Sequence, residues 1–163
     1  MRMTVASSHT YSPRIMTNTV LHATSWLMFA AHVLALALLA APSNLLRLVY
    51  LLGPVTSIWN HAATGRGPKW LDRAAMAAGL ALDVRYFGLW NPPLLAAVAA
   101  YTGAKTVQRH SDGVAVALHC VAHAAVTVAH WRMLLLFAAR DTRATMSTAC
   151  GFLLACWQTA AMC

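Results

Sequence analysis

Long apolar stretches separated by short polar segments run through most of the chain. Crossing a bilayer takes roughly 20 apolar residues per helix, and the stretches approach that length. They predict six helices, at about 19–41, 44–63, 71–87, 92–105, 111–138 and 144–163. Pro42 is expected to end the first helix, and Gly53 and Pro54 to bend the second. The Gly- and Pro-rich segment 64–70 predicts a turn.

Composition agrees with this pattern. The 163 residues are 60% hydrophobic and only 10% charged, with a mean hydropathy of +0.58. A soluble domain carries about 25% charged residues. The sequence therefore predicts an all-α fold, a polytopic transmembrane bundle of about six helices. It has an N-terminal tail at 1–18 and a single bundle at 19–163.

Charge is strongly positive but dispersed. The chain has twelve Lys and Arg but only four acidic residues, which gives a formal charge of +8. The basic residues lie in predicted loops at one to three apiece, without a basic run, so we expect no nucleic-acid partner. Such residues orient helices and meet anionic headgroups. Seven of them fall in segments predicted on the same membrane face as the N-terminus and five on the opposite face. Because Lys and Arg are enriched in cytoplasmic loops, this excess indicates that the N-terminal face is cytosolic.

The cysteines and the N-terminal tail leave more than one interpretation open. Four Cys stand in apolar segments without CxxC spacing, which favours buried free thiols over a disulfide framework. The tail contains Arg2, Arg14 and several Ser and Thr, but no acidic residue. A transit or signal-anchor leader and an uncleaved cytosolic tail both fit this composition. The sequence predicts no particular oligomeric state.

Five polar residues stand out because they lie in apolar segments, where ionisable groups are costly and indicate function. Ser57 and His61 are on the predicted second helix, Asp72 opens the third, and His119 and His123 are on the fifth. Successive spans alternate in direction. The end of the second helix and the starts of the third and fifth helices therefore lie at one membrane face. We expect the five side chains to converge there.

The spacing of the histidines favours a metal site. His119 and His123 are four residues apart, so both imidazoles project from one helical face. With His61 as a third ligand, the fourth position would remain open to water, whose pKa a bound metal lowers to about 7. The alternative is that these histidines hydrogen-bond between helices without metal. His130, seven residues past His123, is expected to make an interhelical hydrogen bond. His22, His32 and His110 are assigned no chemistry.

Asp72 and Ser57 also have structural alternatives. Asp72 would accept a proton from the metal-bound water or orient a ligand imidazole. Alternatively, it would compensate the helix dipole at the surface and pair with Lys69 or Arg73. Ser57, one turn before His61, would bond a ligand or a substrate oxyanion, or only its own helix carbonyl.

These residues resemble a known pattern. The superfamily of seven-helix membrane hydrolases that contains alkaline ceramidases and progestin and adipoQ receptors has three such motifs. They are a Ser-x-x-x-His pair on the second helix, an Asp opening the third, and a His-x-x-x-His pair on the last. The matching stretches here are Ser57-Ile-Trp-Asn-His61, Leu71-Asp72 and His119-Cys-Val-Ala-His123. His61-Ala-Ala-Thr64 is similar to a stretch of the ceramidases.

The resemblance implies a Zn²⁺ ion held by His61, His119 and His123, with Ser57 and Asp72 as catalytic groups. The implied reaction is hydrolysis of a membrane lipid amide or ester, with metal-bound water as nucleophile. An endomembrane of the ER or Golgi is favoured over the mitochondrial inner membrane. The chain would be a shortened, divergent member, because only 47 positions separate Asp72 from His119. Two helices of the family do not fit in that interval.

Two other functions are compatible with the same residues. A haem- or quinone-binding membrane anchor subunit would use His123 and His130 near haem and the Ser57 to Gly65 region near quinone. However, Ala62 stands where the anchor motif has Arg. A non-catalytic structural subunit would use its histidines to join helices.

Overall fold

The computed structural model of the chain describes the backbone at 13–63 and 66–160 and the side chains at 19–63 and 66–142. Within these ranges the fold is all-helical and has no strand. The five helices are α1 (Pro13–Leu38), α2 (Asn44–Ala62), α3 (Arg66–Phe87), α4 (Pro92–Val107) and α5 (Asp112–Ala160). The all-α prediction is confirmed, and the helix number differs by one.

The predicted bounds hold closely for α2 and α4. Ser43 caps α2 through its hydroxyl, which accepts from the Leu46 amide, and Pro92 and Pro93 open α4. α3 begins five residues earlier than predicted. Pro68 lies in its first turn, where its missing N–H is not needed, so the Gly- and Pro-rich segment begins a helix rather than forming only a turn.

The predicted break near residue 140 is wrong, because α5 is one continuous helix of 49 residues. The cluster Arg140, Asp141, Arg143 suggested a loop, but charge alone does not end a helix. Between 138 and 144 the chain has no Gly or Pro and is rich in Ala and Arg, which are strong helix formers.

The predicted tail and the cysteines are only partly described. Residues 13–18 of the tail belong to α1, while residues 1–12, and with them the leader interpretation, lie outside the described residues. Cys120 is a half-buried free thiol. The side chains of the other three cysteines fall outside the described part.

The helices form an arc. The principal contacts join α3 to α2, α2 to α1, α1 to α5 and α5 to α4. α3 and α4 are therefore the two ends of the arc. A small core of Ala35, Leu46, Tyr50 and Leu134 closes the α1–α2–α5 junction. The inner faces of all five helices enclose the space in which the polar residues lie.

Burial departs from the pattern of a water-soluble protein. The described buried residues include many polar ones: Ser25, His32, Thr56, Ser57, Asp72, Asp83, Asn91, His119, His123 and His130. Large apolar side chains such as Leu27, Leu48 and Val128 are instead exposed. Two segments, Thr19–Leu38 and Asp112–Thr142, are long and apolar enough to cross a membrane. The other described helices do not meet that criterion, so a fully polytopic bundle is not established.

Candidate metal centre and the cavities around it

Three histidines from two helices converge inside the bundle. His61 lies in the last turn of α2, and His119 and His123 lie one turn apart on α5. One ring nitrogen of each lies within 4.8 Å of the others, and the ring centroids are 4.8 to 5.9 Å apart. Zinc–nitrogen bonds of about 2.0–2.1 Å in a tetrahedral site place nitrogens about 3.4 Å apart. Small side-chain rotations would bring the three nitrogens to that spacing.

Thr24 on α1 determines the tautomer of His123. In the arrangement in which the Thr24 hydroxyl donates to the Leu21 carbonyl at 3.0 Å, its oxygen accepts from His123 Nδ1, also at 3.0 Å. A neutral His123 therefore carries its proton on Nδ1 and presents the lone pair of Nε2 to the cluster. This is the outer hydrogen bond that metal-binding histidines commonly make.

Ser57 lies beside the same nitrogen. Its Oγ is 3.4 Å from His123 Nε2 and 3.0 Å from Ser25 Oγ. Ser25 donates to the Leu21 carbonyl at 2.8 Å, which leaves the Ser57 hydroxyl to donate either to Ser25 Oγ or to His123 Nε2. The alternative in which Ser57 bonds only its own helix carbonyl is not what the structure shows.

Asp72 is buried rather than at the surface. It is the seventh residue of α3, and Asn60 Nδ2 donates to its Oδ2 at 2.7 Å. The Thr56 hydroxyl donates a long hydrogen bond of 3.4 Å to its Oδ1 and a shorter one of 2.9 Å to the Gly53 carbonyl. Among the described residues Asp72 forms no ion pair, so pairing with Lys69 or Arg73 is wrong.

A second polar group lies deeper in the bundle. His32 Nδ1 is 2.7 Å from the Met28 carbonyl, His32 Nε2 is 2.6 Å from His130 Nδ1, and His130 Nε2 is 3.0 Å from Asp83 Oδ2. Tyr50 completes the group by donating to Asp83 Oδ1 at 2.7 Å. The expected interhelical role of His130 agrees with this geometry. It also involves His32, which the sequence left without a function.

The two histidine groups differ in how their nitrogens are satisfied. Both nitrogens of His32 and of His130 have partners. By contrast, His61 Nε2 is buried without one, and His119 forms no hydrogen bond within the described part of the chain. Buried polar atoms are nearly always paired. Convergent, unpaired imidazole nitrogens therefore fit a metal ion better than a helix-joining role.

An apolar cavity of about 290 Å³ extends from the metal centre to the second polar group. His119 and His123 line one end, and His32, Tyr50, Asp83 and His130 line the other. Small residues form much of the wall between them: Gly53, Ala75, Gly79, Ala97 and Ala122. Met76 and Leu80 on α3 and Val98 on α4 line the cavity and are about 40% exposed, so it reaches the surface between these helices.

A larger polar cavity of about 630 Å³, here called the vestibule, lies on the other side of the metal centre. Asn60, His61 and His119 line it, together with Lys69 and Arg73 of α3 and Tyr101 and Lys105 of α4. Asp72, Tyr101 and His119 line both cavities, so these meet at the metal centre.

Sequence reasoning missed several residues around the site. Thr24 and Ser25 lie on α1, far from the motifs in the chain, and nothing in the local pattern distinguishes them from other helix hydroxyls. Asn60, directly before His61, was read only as part of the motif spacing. Asp83 interrupts an apolar run of the predicted third helix, and that charge was the available signal for the second polar group.

Comparison with known proteins finds no match. No family model matches the chain, and no curated protein or solved structure shows significant similarity to it.

Proposed function

We propose that this chain is an integral membrane hydrolase that uses a zinc ion held by His61, His119 and His123 to hydrolyse a lipid amide or ester. One observation carries the proposal: the imidazoles of His61, His119 and His123 converge, yet within the described part of the chain His61 Nε2 is buried without a partner and His119 forms no hydrogen bond. Both ring nitrogens of the buried His32 and His130 are bonded instead. Three imidazoles with an open fourth position are one of the ligand sets found in catalytic zinc sites.

Placement in a membrane is supported by the many large apolar side chains that the helices expose. Water-soluble proteins rarely expose large contiguous apolar surfaces, yet Leu45, Leu48, Leu52 and Val55 are exposed along α2. α3 and α4 likewise expose Leu80, Val84, Leu95 and Val98. These faces suit lipid, which extends the proposed span beyond α1 and α5 to a polytopic bundle.

The side chains around the metal centre have separate tasks in this proposal. A bound zinc ion would lower the pKa of its water and polarise a substrate carbonyl. Thr24 holds His123 in the Nδ1–H form, and Ser57 presents an oxygen at 3.4 Å from His123 Nε2 for orienting a bound group. Asp72 lines both cavities, and its Oδ1, which receives only a long hydrogen bond from Thr56, would serve as the proton acceptor.

The haem-binding alternative is less well supported. His130, one of the two histidines it requires, is already bonded to His32 and Asp83 on both ring nitrogens. The purely structural alternative accounts for that second group but not for His61 Nε2, which has no partner.

Metal analysis of the purified chain tests the proposal. We expect one zinc per chain by elemental mass spectrometry and no haem absorption band. The His119→Ala, His123→Ala double variant should lose the zinc and any lipid amidase or esterase activity. His110→Ala, at an exposed position between α4 and α5, is the matched control and should lose neither. Full zinc retention in the double variant would contradict the assignment.

A further inference from the structure

The vestibule carries three cationic side chains without acidic partners. Lys69 and Arg73 reach it from α3 and Lys105 from α4. No carboxylate in the described part of the chain lies within ion-pairing distance of any of them, since neither Asp72 nor Asp112, the acidic residues that line the vestibule, forms an ion pair. Lys105 Nζ instead lies 5.2 Å from the centre of the Tyr101 ring, and the Arg73 guanidinium lies 5.2 Å from the Trp70 ring.

Two acidic residues also line the vestibule, and they offset the charge of these cations only in part. The Asp72 carboxylate is buried and bonded to Asn60. Asp112 is in the first turn of α5, where its charge complements the positive end of the helix dipole. Three cations against two carboxylates leave the vestibule with an excess of positive charge. A concave site of this kind attracts anions.

The apolar cavity on the other side has the dimensions of one short alkyl chain. His119 and His130 mark its ends on α5 and are eleven residues apart, a rise of about 16.5 Å. An extended alkyl chain advances about 1.25 Å per carbon, given C–C bonds of about 1.5 Å and angles of about 111°, so about thirteen carbons span this length and a chain of about eight fits within it. A volume of about 290 Å³ suits one chain rather than two.

We propose that the substrate is an anionic single-chain amphiphile. Its phosphate or carboxylate binds Lys69, Arg73 and Lys105 in the vestibule, and its alkyl chain occupies the apolar cavity. The inference rests on the proposed function for its reaction but not for its binding. Because both cavities share Asp72, Tyr101 and His119 as walls, the bond that joins head to chain lies beside the metal centre.

Binding by native mass spectrometry, with the full chain in zwitterionic phosphatidylcholine nanodiscs, tests this inference. The probes are octanoylglycerol phosphate, the matched neutral monooctanoylglycerol and inorganic phosphate. The charged lipid should bind at least about tenfold more tightly than the neutral one, since a hydrogen bond to a charged group is worth about 1.5–3 kcal/mol. Inorganic phosphate, which has no chain to bury, should bind more weakly than the charged lipid.

Charge-removing variants locate the anion. Lys69→Gln and Lys105→Gln should each weaken the charged lipid about tenfold and leave monooctanoylglycerol unchanged. Arg85→Gln, at the other end of α3 and outside the vestibule, is the matched control and should have no effect. Equal loss in all three variants would indicate diffuse attraction and overturn the inference, as would equal affinity for the two lipids.

Cavity-filling variants test the chain position. A side chain at Gly79 meets only Val49, at 3.6 Å from a Cβ, so Gly79→Leu should fill the cavity and weaken both octanoyl lipids but not inorganic phosphate. Ala97→Leu provides a second variant in case the first does not fold. If phosphate binds as tightly as the charged lipid, the site binds free anions and the chain placement is wrong.

The two proposals fail separately. A chain that holds zinc and cleaves neutral lipids without preferring the charged one contradicts only the amphiphile inference. A chain that binds the charged lipid as expected but holds no zinc contradicts only the hydrolase.

Discussion

Asp83 Oδ2 and His130 Nε2 lie 3.0 Å apart in the interior of the bundle, joining α3 to α5. The proton balance of this contact follows from its neighbours. The Met28 carbonyl can only accept, so His32 Nδ1 donates to it, a neutral His32 Nε2 accepts, and His130 Nδ1 donates. One proton is then shared between His130 Nε2 and Asp83, and the pair is neutral overall in either arrangement.

Substitution of Asp83 should separate hydrogen bonding from charge. In Asp83→Asn the amide can donate to a neutral His130 Nε2 while its oxygen accepts from Tyr50, so stability should fall by less than about 1 kcal/mol. Asp83→Leu leaves the Tyr50 hydroxyl and His130 Nε2 unpaired, at about 1–3 kcal/mol each. Thermal unfolding of the purified variants measures the difference. Equal losses in the two would show that the charge of Asp83, not its hydrogen bonding, stabilises the bundle.

Thr24 is expected to control metal affinity without touching the metal. Thr24→Val removes the acceptor for His123 Nδ1–H, and loss of such an outer partner typically weakens metal binding about 10–100-fold. Competition with a zinc chelator measures the affinity. Thr102→Val, at an exposed hydroxyl bonded only to its own helix carbonyl, is the matched control and should leave it unchanged. Unaltered affinity in Thr24→Val would exclude this role.

Asp72→Asn should retain zinc but lose hydrolysis. The Asn60 amide can still donate to the oxygen at position 72, so the local fold is kept, while the proton-accepting carboxylate is gone. A loss of about 100-fold or more in turnover is expected, the size typical of general acid–base catalysis. Zinc content and turnover are measured on the same preparation. Undiminished turnover would leave Asp72 as a purely structural residue.

The connections at the two ends of α4 should lie on opposite sides of the membrane. Trp90 precedes α4 and His110 follows it, and both are exposed. In a background with the four native cysteines replaced by Ala, Trp90→Cys and His110→Cys should react with a membrane-impermeant maleimide from opposite faces of sealed vesicles. Labelling of both from one face would show that α4 does not cross the bilayer.

Much of the helical framework could be predicted from the sequence. Apolar stretches located α2 and α4 closely, because helix formation depends largely on local composition and capping. The polar segment after α2, by contrast, was predicted as a turn and begins α3. The error at residues 138–144 has the same origin. A cluster of charges resembles a loop, but without Gly or Pro the backbone continued as one helix.

Within the candidate site, the sequence by itself determined that His119 and His123 share a helical face, and alternating helix direction indicated that His61 would come near them. Only the tertiary structure decided which nitrogens are free. Thr24 is 99 positions from His123, and His32 is 98 from His130. Such contacts depend on how α1 packs against α5, and no local pattern records that packing. Polar residues within apolar helices can therefore form a histidine cluster with unpaired nitrogens at one depth and a fully hydrogen-bonded group at another.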